Sequence, residues 1–581
     1  MVSNYRGVNL VPRSPMDFLR IAAMALIVAG AGGYAQRAAA LDQTLFDELR
    51  RRDDRQEQDR LDRAEQERRA RERTPGVRLQ DTPPRPGSVD LPQEQPCFTL
   101  QAIRLDGLNA KDFPWAQPLV DPYVGWCVGR EGINVLVKHV QQAFLARGWV
   151  TSRVYVPPQD LASATLTLKI VPGVIRSIRF ADAQSRGNWA TAFPAHPGEL
   201  LNLRDLEQGL EQMKRVPSQD IDMELVPGDQ PGDTDVVIKR RLTRPWRVFV
   251  SVDDAGNDAT GKYQGTLTLA ADNIFGINDL FNGTLGRDLS GNSVDSGTRA
   301  SSLYYSWPHG YWTFSLGLNE STYNQTIQGI NQNFILSGKT QQYEARAHRI
   351  VQRSQQGKTG VQLRVVKRRL RSFIEDAEFN ARDVSVMEPG INHHRYIGNS
   401  ELETQLSYPI AVPWFDATED APNPLASTPT NRYRLWVLDA NLGIPFVLAG
   451  REARYTVALH AQTSNDPLFA TEFIGIGNRY TVRGFDGQST LAAERGWYLR
   501  NDIAVPLADS RQKVYLGVDH GEVSGASSDQ LVGKRLTGAV VGIRGAWGEL
   551  NYDLFAGTPL SKPSRFVTDN TIFGFMLTYR F

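Results

Sequence analysis

A chain of 581 residues has room for several domains, and a formal charge of +1 at pH 7 gives no electrostatic basis for binding nucleic acid. A hydrophobic content of 41% and a mean hydropathy of −0.37 exclude a bundle of membrane helices. Apart from an N-terminal segment, no run approaches the roughly 18–20 apolar residues that a membrane helix needs. Gly, Tyr, Phe and Trp are plentiful and helix-period patterns are confined to the first half. That combination suits a mainly β chain with smaller α+β modules.

Residues 21–31 form an apolar run behind Arg20, too short to span a bilayer. Small residues follow, and cleavage is expected near Ala35 or Ala40. Residues 1–40 therefore read as a secretory signal peptide, with Met16 as an alternative start, against the plainer reading of a short buried helix. The two cysteines, Cys97 and Cys127, are too few for a structural zinc site. In an exported chain they are expected to form one disulfide, whose loop of about 30 residues would add about 3–4 kcal/mol in the chain-entropy model. The alternative is two separate buried thiols.

Residues 41–73 open with Leu45, Phe46 and Leu49 and are then almost wholly charged or polar. Asp47/Arg51, Glu48/Arg52, Asp59/Arg63, Glu65/Arg69 and Glu67/Arg71 place an acid four residues before a base, the favourable helical order. The span 42–73 predicts a helix of about 32 residues, about 48 Å long. A helix polar all round cannot dock on an apolar core, so it is either a solvated tail or lies in a polar lumen. Residues 74–96, with Pro83, Pro84 and Pro86, read as a linker biased to polyproline II, with a reach of about 70 Å.

Residues 97–172 and 173–242 repeat one plan. In the first, Phe98, Leu100 and Ile103 open a strand. A weak helix is expected over 116–124. Ile133, Leu136, Val137, Val140 and Phe144 share one helix face that stops at Gly148, and strands follow over 151–156 and 164–171. In the second, a strand over 175–180, a helix over 203–216 and strands over 220–226 and 235–239 follow the same order. Small β-α-α-β-β modules leave strand edges that can accept an extended peptide. Residues 243–581 then read as strand after strand, about 16 at about 20 residues per strand and connection. On the last, Phe573, Phe575, Leu577, Tyr579 and Phe581 point one way, and Gly574, Met576, Thr578 and Arg580 the other. This is the alternation of a membrane barrel with a polar interior. A soluble sandwich or propeller would explain neither that strand nor the signal peptide.

No phosphate-binding loop, helical His pair or Gly-x-Ser-x-Gly elbow occurs, so no enzyme and no cofactor or metal site is expected. His393 and His394 read as a surface loop. What remains is Val482, Arg483, Gly484 and Phe485 between two strands, and Gly517 and Asp519 on a later one. Alone, the first group could be a turn and the second a solvated lumen carboxylate.

The stretch 148–161, with Thr151, Ser152, Arg153, Tyr155, Pro158 and Gln159, resembles the first polypeptide-transport-associated (POTRA) domain of two-partner secretion outer-membrane transporters, the TpsB type. The stretch 201–218, with Arg204, Asp205 and Gln208, resembles the second such domain. The resemblance covers residues 41–581 and implies an N-terminal plug helix, two POTRA domains in the periplasm and a barrel of about 16 strands in the outer membrane. It implies that those POTRA residues mark a substrate-binding region. It implies that Arg483, on an in-folded sixth extracellular loop, pairs with Asp519 of a motif in which Gly517 stands two residues earlier. It implies that the terminal aromatic strand is read by the outer-membrane assembly machinery. The implied partners are a secreted TpsA-type exoprotein with an N-terminal secretion domain and the lipid bilayer, with the transporter a monomer or weak dimer. A water-filled lumen would keep the Arg483–Asp519 pair worth a few kcal/mol at most, a latch rather than a weld. A barrel-assembly insertase would carry more POTRA domains and no plug, and a gated solute porin would need no tandem strand-edged modules.

Overall fold

The computed structural model describes residues 76–79, 87–107, 109, 111–182, 187–290, 296–328, 333–507 and 510–581. All of them belong to the compact unit Gln58–Phe581. The signal peptide expected over 1–40 and the helix expected over 42–73 lie outside the described residues.

The first module holds strands β1 (Ala102–Asp106), β2 (Arg153–Tyr155) and β3 (Thr165–Val171) in the spatial order β1-β3-β2, with β1 parallel and β2 antiparallel to the central strand. Helix α1 (Arg130–Ala146) buries Leu136, Val140, Ala143 and Phe144 in the module's core, a helix-period stripe. Its first N–H groups have no partner within the helix. The Glu94 carboxylate accepts from Gly129, Glu131 and Gly132 at 2.9, 2.9 and 2.7 Å, and the Gly132 bond above all holds that carboxyl below its ordinary range. Cys97 and Cys127 form a disulfide beside a short ladder of Phe98–Thr99 with Cys127–Val128. The helix expected over 116–124 is instead a pair of 3₁₀ turns, Gln117–Leu119 and Asp121–Tyr123. Pro118 and Pro122 sit at the start of each turn, and two prolines so close cannot supply the N–H groups of one continuous α-helix.

The second module repeats this layout with β4 (Val174–Phe180), β5 (Gln219–Pro227) and β6 (Asp233–Leu242), in the order β4-β6-β5. Helix α2 (Leu203–Lys214) starts at Asn202, whose side chain accepts the Arg204 N–H at 2.9 Å, and buries Leu206, Leu210 and Met213. The segment before the modules is not a free tether. Val77 and Leu79 pack on the second module's core, and Val89 and Leu91 on the first. Apolar side chains at those four places override the polyproline bias.

Sixteen strands close into a barrel, from Trp246–Asp253 to Ile572–Arg580. The ninth is interrupted at Tyr408 and Pro409, and both its pieces, Ser400–Ser407 and Ile410–Val412, pair with the eighth, Ala377–Ile397. Faces alternate as expected. On the seventh strand, Gly357–Ile374, Val361 and Leu363 face outward at 40% and 44% exposure while Gln362 is buried. Arg364, the next inward residue, bonds Glu344 and Glu388 at 2.8 Å each, so the inner wall is polar and internally paired. His393 and His394 lie on the eighth strand, not on a surface loop. Phe573, Tyr579 and Phe581 are exposed, Phe575 and Leu577 are half-buried, and Gly574 makes room for the inward ring of Phe555. The short turns after the second and fourth strands, and the end of the sixth strand at Arg353, meet the second module, which fixes that end of the barrel as the module end.

Candidate functional site

The connection 464–494, between the eleventh strand (Arg451–Thr463) and the twelfth (Arg495–Pro506), leaves the opposite end of the barrel and folds back inside. At its tip Arg483 reaches the thirteenth strand, Lys513–Ser524. Arg483 Nε donates to Asp519 Oδ2 at 2.6 Å, Nη2 to Asp519 Oδ1 at 2.8 Å, and the backbone N–H to Asp519 Oδ2 at 3.0 Å. This is a bidentate guanidinium–carboxylate pair with a third bond from the main chain. Gly517 is glycine for a visible reason. A Cβ there would stand 2.7 Å from Arg483 Nη2 and 2.6 Å from an Asp502 oxygen. Gly484 has φ +96°, where other residues are strained, and lies on the backbone of Gly538 and Gly557. Phe485 is buried edge-to-face on Phe566 at 5.7 Å.

Sequence reasoning named Arg483 and Asp519 and missed the rest of the cluster. Asp502, on the twelfth strand, accepts a second bond from Arg483 Nη2 at 2.7 Å. Arg500 stands 3.9 Å from Asp519, so two cations balance two carboxylates. Register partners jump from Leu499–His520 to Asp502–Gly517, and in the gap Asp519 Oδ1 accepts the Asn501 N–H at 3.3 Å. Arg500 and Asp502, two apart on one strand and hence on one face, were the available signal. Glu472, in the turn Ala470–Glu472, ties the same loop to the seventh and eighth strands through Arg368 at 3.2 Å and Arg382 at 3.5 Å. Asp519 is 1% exposed and Arg483 6%, so the pair is dry, against the expectation of a wetted latch. The loop brings its own apolar cover, Ile476, Val482 and Phe485 against Leu536 and Phe566. Removing one partner from such a pair costs about 3–5 kcal/mol, more than the wet-lumen figure.

The nine module residues separate into two groups. Arg204, Asp205 and Gln208 are not on an open face. Gln208 Nε2 donates to the Gly310 carbonyl at 3.3 Å and its Oε1 accepts from Arg353 at 3.0 Å, Asp205 accepts from the Tyr311 hydroxyl, and Arg204 pairs with Glu207 at 2.8 Å. Arg353 and Lys358 bond Glu211 at 3.0 and 2.5 Å, and Arg353 also donates to the Val77 carbonyl at 2.8 Å. This face of α2 docks the module on the barrel and clamps the strap at residue 77. Burial raises the Asp205 carboxyl; at Glu211 burial works the same way, but Lys358 and Arg353 outweigh it and hold the carboxyl below its ordinary range. Ser152 is buried, its Oγ accepting the Gly173 N–H at the junction of the modules, and Thr151 sits against the same glycine. Gln159 exchanges two bonds with the Thr167 backbone at 2.7 and 2.8 Å, extending the β2–β3 ladder past Pro157 and Pro158, which cannot donate. Arg153, Tyr155 and Pro158 are exposed along the outer edge of β2.

A closed barrel with a polar wall, an in-folded loop pinned inside it and two strand-edged modules at one mouth define a transport pore of the outer-membrane type. A model of the haemolysin secretion/activation proteins ShlB/FhaC/HecB matches residues 232–545, an ShlB-type POTRA model matches 98–173, and a second POTRA model matches 174–227. The chain belongs to this family, that of the two-partner secretion outer-membrane transporters. It is 40% identical over 538 residues to outer membrane transporter CdiB-2 of Burkholderia pseudomallei, covering 89% of this chain and 92% of that protein. It is 28% identical over 447 residues to hemolysin transporter protein HpmB of Proteus mirabilis, covering 74% and 77%. The solved structure of CdiB from Escherichia coli superposes with a TM-score of 0.80 at 26% identity, over 91% of this chain and 98% of that one. The barrel therefore sits in the outer membrane with the POTRA domains in the periplasm, and the family is one of secretion proteins rather than enzymes.

Proposed function

We propose that this transporter captures one exoprotein in the periplasm through its POTRA strand edges and passes it, unfolded, through the barrel to the cell surface. The observation that carries the reading is the outer edge of β2. Its Val154 N–H and the Ser152 carbonyl are engaged by the Gln141 side chain, at 3.0 Å each, and not by a strand. An extended peptide can displace one side-chain amide and offer the same donor and acceptor, repeated along its length. Tyr155 and Val156, 44% and 40% exposed, stand ready to pack on alternate side chains of that peptide. Residues 42–73 occupy the polar lumen at rest and leave when substrate engages. The terminal aromatic strand serves recognition by the assembly machinery, and the cargo's folding outside biases the motion outward.

A photo-crosslinking side chain placed at Tyr155 is expected to trap the N-terminal secretion domain of the cognate exoprotein. The same probe at Lys169, on the inner strand of that sheet, is expected to trap several-fold less. Equal adducts at both positions, or none at Tyr155 while secretion proceeds, would remove β2 from substrate capture.

A further inference from the structure

The ladder that closes the barrel is short. Residues 249–253 of the first strand pair with residues 576–580 of the last, whereas the last strand pairs with its other neighbour from Ile572 to Tyr579. Toward the extracellular end, residues 572–575 thus lack ladder partners in the first strand. Side chains fill the gap. Asp254, the residue after the first strand, accepts the Phe575 N–H at 2.9 Å, as a strand carbonyl would. Arg479 of the in-folded loop donates to the same Asp254 oxygen at 2.9 Å and to the Phe575 carbonyl at 3.4 Å. Its guanidinium lies 5.3 Å from the centre of the Phe555 ring on the fifteenth strand. The Asp254 side chain is 7% exposed and that of Arg479 16%, so both charges are desolvated and depend on each other.

We infer that Arg479 is a positioning residue that staples the barrel shut. The loop that carries the Arg483 lock also completes, through Asp254 and Phe575, the extracellular half of the seam between the first and last strands. The two arginines stand four positions apart, Arg483 fixed to the twelfth and thirteenth strands and Arg479 to the seam. The loop therefore cannot withdraw from the lumen without releasing Asp254 and freeing the last strand above residue 576. Barrel closure and loop position are one two-state element rather than two. This deepens the transport reading, on which its role in secretion rests, but the staple itself is a property of the resting pore.

The test is amide hydrogen exchange on the purified, membrane-inserted full chain, with no exoprotein present. Arg479→Ala is expected to speed exchange over residues 572–576 at least ten-fold and to leave the thirteenth strand, Lys513–Ser524, within two-fold of the parent. Arg479→Lys, which can still reach Asp254 but not fork to the Phe575 carbonyl, is expected to recover most of the protection. Asp254→Asn keeps an acceptor for the Phe575 N–H but loses the charge that holds Arg479, and is expected to fall between the two; it also carries the test if Arg479→Ala fails to insert. Unchanged exchange over 572–576 in Arg479→Ala and Asp254→Asn would overturn the staple, as would an equal rise in the thirteenth strand, which would signal general loosening. Failure of exoprotein to pass through the lumen would sink the transport reading and leave these exchange rates untouched.

Discussion

Arg483→Ala is expected to lower secretion of the cognate exoprotein at least ten-fold while the barrel still inserts and still shifts on heating in gel electrophoresis. The size follows from burial. Asp519 is 1% exposed and takes three bonds from Arg483, of which truncation removes the two from the guanidinium, leaving a dry carboxylate with only the backbone N–H of residue 483, the Asn501 N–H and Arg500 at 3.9 Å. Stranding a buried charge costs about 3–5 kcal/mol. The loop relieves that cost by giving up its seat and letting water in, so the loss falls on the loop's position rather than on the strand ladder. Arg483→Lys is expected to recover little, because a point charge cannot satisfy Asp519 through two bonds and Asp502 through a third. Secretion at the parental level by Arg483→Ala would show that the pinned loop has no part in transport.

Deleting residues 42–73 is expected to raise single-channel conductance at least two-fold in planar bilayers. A helix with its side chains is about 10–12 Å across and would fill much of the lumen of a barrel this size. The strap behind it makes the outcome specific. Val77 is held by the Arg353 bond to its carbonyl at 2.8 Å, and the Leu79 N–H by Glu207 at 3.1 Å. A plug formed by residues 42–73 would therefore have to pivot near residue 76 or break that clamp on leaving, whereas the deletion leaves the clamp and the POTRA docking in place. Unchanged conductance would place residues 42–73 outside the pore.

The barrel and the lock were legible in the chain because each has a local pattern. The last strand alternates Phe573, Phe575, Leu577 and Tyr579 with smaller or polar residues, and Gly517 precedes Asp519 at the spacing that puts both on one face. The docked face of α2 was not legible. Arg204, Glu207, Gln208, Glu211 and Gln212 make a polar stripe that reads as solvated, yet all are buried. They meet another polar surface, carrying Arg353, Lys358 and the Gly310 carbonyl, and one helix's periodicity carries no information about that partner. Asp502 and Arg479 escaped for a related reason: each acquires its role only when the connection 464–494 folds inward against strands distant in the chain. The dry state of the Arg483–Asp519 pair has the same origin, since the apolar cover comes from the loop itself and from Leu536 and Phe566.

Passage of the exoprotein through the lumen is tested most directly on the second strand, Gln264–Asp272, where neighbouring residues face opposite sides of one wall. Thr268 points inward, its hydroxyl 3.1 Å from that of Thr284, and Leu267 points outward at 46% exposure. A photo-crosslinking side chain at each position, with an exoprotein stalled during secretion by a folded C-terminal fusion, reads which face the cargo passes. Transport through the barrel predicts exoprotein adducts at position 268 and none at position 267. Adducts at 267 alone, or none at 268 while secretion continues, would contradict it.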